Sequence, residues 1–304
     1  MTENYIDIIN NNIKGAIYTG EPLSNHTTYK VGGEAECLVC PDSTEEARWI
    51  YEYAKRESIP LTLLGTGSNV IAPDRGIRGI VLKLRTGSAR VQFPEDNRIV
   101  ADAGVTLIDL AKKAAAKGLK GFESIAGIPG TVGGAVFMNA GTKDGDTASL
   151  LEKVEVITGC GRKRIFYKEE LSFGYRKSAF QKTDWLILRV HFKLERGVPE
   201  RIRKGIEKIY RERQRKFPLD FPNAGSVFKR PPGDYAGRLI EEAGCKGMSV
   251  GGASVSKTHA NFIINSDNAT SEDIIGLISE IRRIVYDKYG IYLELEQKIF
   301  ESFR

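Results

Sequence analysis

The sequence predicts an α+β protein of two domains, residues 1–196 and 197–304. Three observations support this prediction: strand-like and helix-like segments follow one another, one glycine-rich segment follows a predicted strand and another a predicted helix, and the sequence Gly-Val-Pro-Glu interrupts the pattern at 197–200. The chain has 304 residues, 41% of them hydrophobic, which is enough for two hydrophobic cores. The strand and helix pattern starts again at Ile99, so we expect two lobes in the first domain, of about 1–85 and 86–196.

The first lobe is predicted to hold one helix between strands. Ser43 and Glu46 have capping-box spacing, and apolar residues then recur at helical intervals, which predicts a helix over 44–57. A buried strand is expected at 59–64 and a further strand at 79–84.

The second lobe repeats strand and helix before a larger set of strands. Alternating and alanine-rich segments predict a strand at 99–103, a helix over 106–117 closed by Gly118, a glycine-rich loop at 127–141, and strands near 153–158, 163–167 and 185–194. The second domain is predicted from a basic helix after residue 200, a loop at 222–228, a helix near 234–243, a strand at 261–264, a helix over 271–288 closed by Gly290, and a strand at 291–297.

The charge is positive overall, with a net value of +6. Basic residues concentrate in the helix after residue 200, at Arg201, Arg203, Lys204, Lys208, Arg211, Arg213, Arg215 and Lys216. Three interpretations are open: a nucleic-acid-binding helix, a solvated helix face with Ile202, Ile206 and Ile209 packing on its other side, or a helix end that faces a ligand diphosphate. No aromatic residues interleave with these charges, which disfavours nucleic-acid binding.

Neither a membrane segment nor a metal site is expected. No stretch approaches the roughly 20 apolar residues that span a bilayer, and the N-terminus has no signal pattern, so we expect a soluble cytoplasmic protein. Cys37 and Cys40 form one CxxC, but Cys160 and Cys245 are isolated. A structural zinc site needs two more ligands at comparable spacing, so the cysteines are interpreted as small semi-buried residues.

Two glycine-rich segments are candidates for ligand binding. The segment 65–69, Gly-Thr-Gly-Ser-Asn, follows a predicted strand, where backbone N–H groups can converge on an anion, although a tight turn explains it equally well on its own. It is not the dinucleotide fingerprint, because Pro73 and a strand follow instead of a helix. The segment 126–141 has little side-chain bulk and still carries apolar residues, which suggests a flat or extended ligand, or else a glycine-rich surface loop.

The pairing of GTGSN with AGIPGTVGGAVFMNAG resembles the FAD-binding domain of the p-cresol methylhydroxylase and vanillyl-alcohol oxidase superfamily. The resemblance implies that the first segment holds the FAD pyrophosphate and that the second wraps the isoalloxazine half. No histidine stands within 65–69, which implies noncovalent FAD. The cofactor residues that the resemblance implies are Gly65, Thr66, Gly67, Ser68, Asn69, Ala126, Gly127, Ile128, Gly130, Thr131, Gly133, Gly134, Asn139 and Gly141.

Three more segments, at 172–178, 223–231 and 293–296, complete a pattern that resembles the UDP-N-acetylenolpyruvoylglucosamine reductase family, in its shorter type without an inserted loop. The resemblance covers about 29–299. It implies that NADPH is the reductant, that the substrate is an enolpyruvyl ether on a UDP-sugar, and that the product belongs to peptidoglycan precursor synthesis. No nucleic acid, membrane or obligate protein partner is implied.

The same resemblance assigns catalytic roles to Arg176, Ser226 and Glu296. Arg176 would hold the substrate carboxylate, and Ser226 would deliver a proton. Strand periodicity alone leaves Glu294 and Glu296 equivalent, and the resemblance selects Glu296, which we expect to be neutral or neutralised by Arg176. Taken singly, each residue has an alternative interpretation. Arg176 could belong to a surface ion pair, Ser226 could be a turn residue, and Glu296 could be an exposed strand residue.

Residues at or near the family's UDP-contacting positions are Tyr175, Lys216, Asn223, Arg230 and His259. Arg230 and His259 stand where the longer type has amides, and a cation there could still bind a phosphate. Two alternative functions remain open: another noncovalent FAD oxidase or dehydrogenase, and a nucleic-acid-binding protein that has lost catalysis.

Overall fold

The computed structural model describes residues 4–84, 90–95 and 97–301. The helices are α1 (Tyr5–Asn12), α2 (Thr44–Arg56), α3 (Leu107–Ala116), α4 (Val132–Met138), α5 (Thr147–Leu150), α6 (Pro199–Lys216), α7 (Ala236–Glu242) and α8 (Ser271–Tyr289). The strands are β1 (Ala16–Pro22), β2 (Glu34–Cys40), β3 (Leu61–Leu64), β4 (Val70–Ile71), β5 (Ile77–Lys83), β6 (Val91–Gln92), β7 (Arg98–Asp102), β8 (Leu119–Lys120), β9 (Gly141–Thr142), β10 (Gly145–Asp146), β11 (Leu151–Ile157), β12 (Lys163–Tyr167), β13 (Leu186–Lys193), β14 (Glu195–Arg196), β15 (Ser249–Val250), β16 (Ala253–Val255), β17 (Ile263–Asn265) and β18 (Lys298–Ile299).

The chain forms two compact units, and neither is continuous in sequence. The first unit consists of Met1–Thr19, Cys37–Thr66 and Gly79–Arg211, and the second of Gly20–Glu36, Gly67–Arg78 and Glu212–Arg304. The predicted boundary at 196/197 differs from this division. The last change of unit along the chain comes between Arg211 and Glu212, inside α6, and the second unit also includes the early segments Gly20–Glu36 and Gly67–Arg78. The predicted lobe boundary near 85/86 lies outside the described residues.

The first unit has two cores, each built on a sheet. A five-stranded sheet has the order β12-β11-β13-β7-β6, and α3 and α4 bury their apolar faces in the core that contains β7, β11 and β13. The other core packs α2 against β2 and β5, in a sheet of order β1-β2-β5-β3. The helix α2 begins as predicted, because the Ser43 hydroxyl accepts the N–H of Glu46 at 3.1 Å.

The second unit has one core under a small antiparallel sheet of order β15-β16-β17. The buried faces of α7 and α8 pack in this core with Tyr29, Val31 and Ile71, which come from the early segments. Thr270 and Asp273 form a capping box at the start of α8, and Gly290 ends that helix with a φ of +66°. The parallel pair β4–β18 joins Val70–Ile71 to the C-terminal segment of the same unit.

Most predicted elements are confirmed to within a few residues, including α2, α3, α8, β7, β11, β12 and β13. Three predictions need correction. The strand at 59–64 is shorter, at Leu61–Leu64, and mostly half-buried rather than buried. The loop at 127–141 contains the helix α4, and the strand at 291–297 is largely irregular, with only Lys298–Ile299 forming a regular strand just beyond it. Across the described ranges, no helix is both long and apolar enough to cross a membrane.

The burial of the cysteines agrees only in part with the prediction that they are small semi-buried residues. None of the four, which all lie in the described ranges, forms a disulfide; Cys37 and Cys245 are buried, but Cys160 is exposed rather than semi-buried. Cys37 and Cys40 both lie on β2. An interval of three residues on a strand points two side chains to opposite faces, so these thiols do not converge on one site.

Candidate active site

The first glycine motif, 65–69, links β3 to β4 and not to a helix, as predicted. In the first unit, a Cβ on Gly65 would lie 2.6 Å from Oγ1 of Thr131, so only glycine fits against the second glycine motif. Gly65 therefore brings the beginning of one motif into contact with the other.

Gly67 continues the first motif in the second unit. Its φ is +68°, and a Cβ there would lie 2.2 Å from the carbonyl oxygen of His26, so the position requires glycine. Gly67 is buried, yet among the described residues its N–H has no hydrogen-bond acceptor. Because a buried N–H is nearly always paired, this donor suits an anionic group of a ligand.

The second glycine motif contains the helix α4, where the sequence predicted a loop. Thr131 caps the helix through its hydroxyl, which accepts the N–H of Gly134 at 3.2 Å. The N–H of Gly133 donates to the carbonyl oxygen of Ala103 at 2.9 Å, and a Cβ on Gly133 would lie 3.0 Å from Ala103 Cβ. The glycines thus allow a short helix to pack closely on β7, and they do not mark an open loop.

The segment just before α4 offers further backbone donors. Ala126 is buried and Ile128 packs against the first core, while the N–H groups of Gly127 and Gly130 make no hydrogen bond within the part of the chain that the structure describes. Within the first unit, Gly65, Gly127 and Gly130 therefore combine absent side chains, contact with Thr131 and unpaired N–H groups. These features fit a cofactor that carries a pyrophosphate.

Arg176 lies in a tight turn against the end of the second motif. Gly174 and Lys177 exchange backbone hydrogen bonds of 3.0 and 3.1 Å, and Arg176 has a φ of +52° between them. Arg176 Nη2 donates to the carbonyl oxygen of Gly141 at 2.8 Å, and Asn139 Nδ2 donates to that of Gly174 at 2.9 Å. Asn139 and Gly141, both predicted cofactor residues, thus hold the turn that carries Arg176.

Ser226 follows a turn that Asn223 organises. The Asn223 side chain accepts the N–H of Gly225 at 3.0 Å and donates to the carbonyl oxygen of Phe221 at 2.8 Å. Gly225 has a φ of +74°, and the next residue, Ser226, is half-buried. The Ser226 hydroxyl forms no hydrogen bond with any residue in the described ranges, which leaves it available to a ligand.

The C-terminal segment separates the two glutamates that periodicity could not. Glu294 is exposed over 70% of its side chain and pairs with Lys229 at 2.5 Å. Glu296 is half-buried, and its N–H donates to the carbonyl oxygen of Val227 at 2.8 Å. The segment departs from a regular strand because its successive N–H groups bond to different partners, Val227 for Glu296 and Asn69 for Lys298.

The second unit therefore brings Asn69, Ser226 and Glu296 together. Asn69 Nδ2 donates to the carbonyl oxygen of Glu296 at 3.3 Å, and the residue after Ser226 bonds to Glu296 through its carbonyl. The first unit brings together Gly65, Thr131, Asn139, Gly141 and Arg176. Of the remaining cofactor residues, Thr66 and Ser68 are half-buried within the first motif.

The predicted substrate residues lie in varied surroundings. Tyr175 is 54% exposed, with the Arg176 guanidinium 5.2 Å from its ring centre. Lys216 is exposed at the end of α6, and the Arg230 guanidinium lies 4.7 Å from the ring centre of Tyr235. Asn223 uses its amide inside its own turn, so its contribution to the site is to shape the loop that carries Ser226.

His259 differs from the expected cation. Its ring packs beside Phe217 and Phe262, and its Nδ1 accepts the N–H of Asn261 at 3.2 Å. Burial lowers the pKa of His259 below its ordinary value of 6.5. The imidazole is therefore neutral near pH 7 and suits a hydrogen bond or ring stacking better than charge neutralisation of a phosphate.

The basic helix α6 carries its own counter-charges. Glu200 pairs with Arg203 at 2.8 Å, and Glu207 pairs with Arg211 at 3.6 Å. Ile202 and Ile206 are buried on the other side of the helix, as the solvated-face interpretation required, and Ile209, the third residue of that interpretation, is half-buried. This arrangement favours that interpretation over a nucleic-acid-binding surface.

Sequence reasoning passed over one polar side chain beside the predicted site. Gln297 directly follows Glu296, and its amide is buried and bonded to Tyr29 and to the carbonyl oxygen of Ala224. A glutamine near a chain terminus gives no sign in the sequence that it is buried. Only the three-dimensional arrangement reveals it.

Comparisons with known proteins cover nearly the whole chain. A family model described as UDP-N-acetylenolpyruvoylglucosamine reductase, C-terminal domain, matches residues 217–300, and one described as FAD binding domain matches residues 35–165. A UDP-N-acetylenolpyruvoylglucosamine reductase of Caldanaerobacter subterraneus subsp. tengcongensis is 44% identical, over 98% of this chain and 99% of its own. One of Shouchella clausii is 42% identical, over 93% of this chain and 90% of its own.

A solved structure agrees with these sequence relatives. The crystal structure of UDP-N-acetylenolpyruvylglucosamine reductase from Thermus caldophilus superposes with a TM-score of 0.78 at 35% identity, covering 95% of this chain and all of the other. The predicted fold class is confirmed as an α+β chain with a FAD-binding domain and a smaller C-terminal domain. The prediction of a flavin-dependent oxidoreductase that uses FAD is also confirmed. On the strength of full-length similarity at 44% identity, the chain belongs to the UDP-N-acetylenolpyruvoylglucosamine reductase family.

Proposed function

We propose that this enzyme uses NADPH to reduce UDP-N-acetylglucosamine enolpyruvate to UDP-N-acetylmuramate, in the cytoplasm, as a step of peptidoglycan precursor synthesis. The observation that carries the proposal is the match to reductases of that name over nearly the full length of both chains. FAD, when bound, supplies the hydride that reaches the terminal carbon of the enolpyruvyl group. The glycine motifs at 65–69 and 126–141 would hold it without a covalent bond.

Arg176 is proposed to bind the substrate carboxylate. Addition of hydride to the terminal carbon leaves negative charge on the neighbouring carbon, and that charge spreads into the carboxylate. A guanidinium is permanently cationic and can donate two parallel hydrogen bonds to a carboxylate. The bond from Arg176 to the carbonyl oxygen of Gly141 holds this fork before substrate arrives, which is the preorganisation that electrostatic stabilisation of a transition state requires.

Ser226 is proposed to deliver the proton that completes the reduction. The proton would go to the carbon next to the carboxylate, and the electrons of the enolate would form the new C–H bond. Support comes from the Ser226 hydroxyl, which is half-buried and makes no hydrogen bond within the described residues. A hydroxyl is a weak acid, so it needs a neighbour that eases its ionisation or returns the proton.

Glu296 is proposed as that neighbour, in a neutral form or with its charge offset by Arg176. An ionised carboxylate would repel the developing enolate, whereas a neutral carboxyl group can donate a hydrogen bond to it. Support comes from the 2.8 Å backbone hydrogen bond between Glu296 and Val227, the residue after Ser226. Tyr175, Lys216, Arg230 and His259 are proposed to contact the UDP moiety, and Asn223 to shape the Ser226 loop.

One experiment tests this function against the related oxidases. Purified protein should show a yellow flavin spectrum that NADPH bleaches without oxygen. Addition of UDP-N-acetylglucosamine enolpyruvate should restore the oxidised spectrum and yield UDP-N-acetylmuramate. Restoration by oxygen but not by the enolpyruvyl substrate would instead indicate a noncovalent FAD oxidase.

A further inference from the structure

Tyr29 and Gln297 form a buried polar pair in the second unit, with exposed fractions of 0% and 2%. The Tyr29 hydroxyl lies 3.2 Å from Gln297 Oε1 and 3.1 Å from Nε2. Gln297 Nε2 also lies 3.2 Å from the carbonyl oxygen of Ala224 and 3.3 Å from that of Gly225. The Nε2 group thus offers its two hydrogens to three acceptors, the Tyr29 hydroxyl and the two carbonyl oxygens, and the Tyr29 hydroxyl in turn donates to Oε1.

The Gln297 side-chain amide links the segment that carries Glu296 to the loop that carries Ser226, the proposed proton donor. Gln297 directly follows Glu296, and the carbonyl of Gly225 belongs to the peptide bond that leads into Ser226. Ala224 and Val227 are buried in the core on either side of the loop, whereas a Cβ placed on Gly225 would meet no atom within 4 Å. Between these two anchors, hydrogen bonds, including those from Gln297, contribute to the position of Ser226.

The segment that carries Tyr29 also contacts the first glycine motif, through the neighbouring residue Thr28. Asn265 Nδ2 donates to the carbonyl oxygen of Tyr29 at 3.0 Å. The N–H and the hydroxyl of Thr28 donate to the carbonyl oxygen of Gly67 at 3.1 and 3.3 Å. Burial raises the pKa of Tyr29 well above its ordinary value, so its hydroxyl keeps its proton and stays a donor at every working pH.

A buried polar pair of this kind is costly unless every member is satisfied. An apolar pair of similar volume would stabilise the core without this requirement, but it would not fix the backbone carbonyls before Ser226. We propose that the Tyr29–Gln297 pair is a positioning device that holds Ser226 in register with Glu296 and with the first glycine motif. This inference rests on the proposed role of Ser226 as proton donor.

The first test measures the two half-reactions separately by anaerobic stopped-flow absorbance. Gln297→Met keeps the volume and removes the hydrogen bonds to the loop, so reoxidation of the reduced flavin by UDP-N-acetylglucosamine enolpyruvate should slow by about 10–100-fold. Tyr29→Phe removes one hydrogen bond and keeps the ring, so the same step should slow by about threefold to tenfold. Flavin reduction by NADPH should keep the wild-type rate in both variants.

Tyr51→Phe is the matched control. It also deletes a buried tyrosine hydroxyl, which donates to the carbonyl oxygen of Asp184 at 2.6 Å, and Asp184 is not one of the proposed catalytic residues. Both half-reactions should stay at the wild-type rate. Slowing of the two half-reactions by the same factor in Tyr29→Phe and Gln297→Met would mean that the pair is merely structural, and would overturn the inference.

A second test places Gln297→Met in the Ser226→Ala enzyme. If Gln297 acts by positioning the hydroxyl, removing it should cause no further slowing once that hydroxyl is absent. A full additional 10–100-fold loss would contradict the inference. If Gln297→Met does not fold, Tyr29→Phe is placed in the Ser226→Ala enzyme instead. It should then cause no further slowing of reoxidation, and its full threefold to tenfold loss would contradict the inference.

The same data separate failure of this inference from failure of the proposed function. If Ser226→Ala reoxidises at the wild-type rate, the proton-donor role is wrong. If Ser226→Ala is slow but Tyr29→Phe and Gln297→Met are not, the role stands and the positioning inference is wrong.

Discussion

At position 176 the backbone adopts a left-handed conformation that arginine rarely takes, with a φ of +52°. Such a conformation costs a residue with a Cβ about 1–2 kcal/mol, and glycine avoids most of that cost. An arginine kept in this turn is consistent with a side chain selected for function. A φ value of this kind cannot be predicted from sequence periodicity, whereas the functional role predicted for Arg176 came from the resemblance of the motif around it.

The two C-terminal glutamates show what a local pattern can and cannot resolve. Alternation left Glu294 and Glu296 equivalent, because it describes only the segment itself. The structure separates them through partners distant in sequence, Lys229 for Glu294 and Val227 for Glu296. Partners that come from elsewhere in the chain are the information that a single sequence lacks.

Glu155 carries a prediction about stability and pH. Burial disfavours its ionised form, but hydrogen bonds from Lys163 and His191, both of 2.8 Å, outweigh burial and hold the pKa of Glu155 below its ordinary value of 4.5. A pKa that is lower in the folded state stabilises the fold above the ordinary pKa, and this contribution is lost as the pH falls through the folded-state pKa.

The free energy of unfolding of the wild type should therefore fall as the pH drops below the ordinary pKa of 4.5 and through the lower folded-state pKa, and the fall should be shallower for Glu155→Gln. Urea unfolding at several pH values, followed by circular dichroism, measures this difference. Glu280→Gln, at an exposed surface pair with Arg283, is the control and should follow the wild type. Parallel curves for wild type and Glu155→Gln would refute the assignment.

Among the elements, α4 is the one whose prediction failed most clearly. Glycine is a poor helix former, so a stretch with Gly133 and Gly134 was predicted to be a loop. Two tertiary features override that propensity: the cap at Thr131 and the close approach of Gly133 to Ala103. The prediction that this segment contacts a ligand depended on absent side chains and not on secondary structure, so the presence of a helix does not bear on it.

Gly65→Ala tests the contact between the two glycine motifs. The new Cβ would lie 2.6 Å from Thr131 Oγ1, which forces the motif or the cap of α4 to shift. We expect FAD affinity to fall by about tenfold or more, as for a loss of about 1.4 kcal/mol. Quenching of flavin fluorescence during titration of the apoprotein measures this affinity.

Gly205→Ala is the matched control in the same unit. Its Cβ would lie 3.6 Å from Glu123 Cγ, an ordinary contact, and alanine favours the helix α6. FAD affinity should be unchanged. Equal affinities for Gly65→Ala and the wild type would show that the contact at Gly65 has no role in cofactor binding.

For the whole molecule, the class of fold was predictable and the division into units was not. The alternation of helix and strand patterns was enough to predict an α+β fold, and the resemblance of the two glycine motifs to a known flavoprotein superfamily implied FAD. The second unit, however, includes Gly20–Glu36 and Gly67–Arg78, which lie far from 212–304 in sequence. Patterns of hydrophobicity are local, so they give no sign that Tyr29 and Ile71 pack in the C-terminal core.

A fragment of residues 197–304 tests this division. It lacks Tyr29, Val31 and Ile71, which are buried in the core of the second unit, and it lacks β4, the partner of β18. We expect the isolated fragment to show no cooperative unfolding transition in urea, while the full chain does. A sharp transition in the fragment would support the boundary at 196/197 instead.

The most direct measurement compares the two half-reactions of Ser226→Ala under anaerobic conditions. The enzyme should be bleached by NADPH at the wild-type rate, because Ser226 takes no part in that step. Its reoxidation by UDP-N-acetylglucosamine enolpyruvate should be slower by about 10²–10⁴-fold, as expected for a lost general acid. Equal slowing of both steps, or a wild-type rate of reoxidation, would contradict the account of this site.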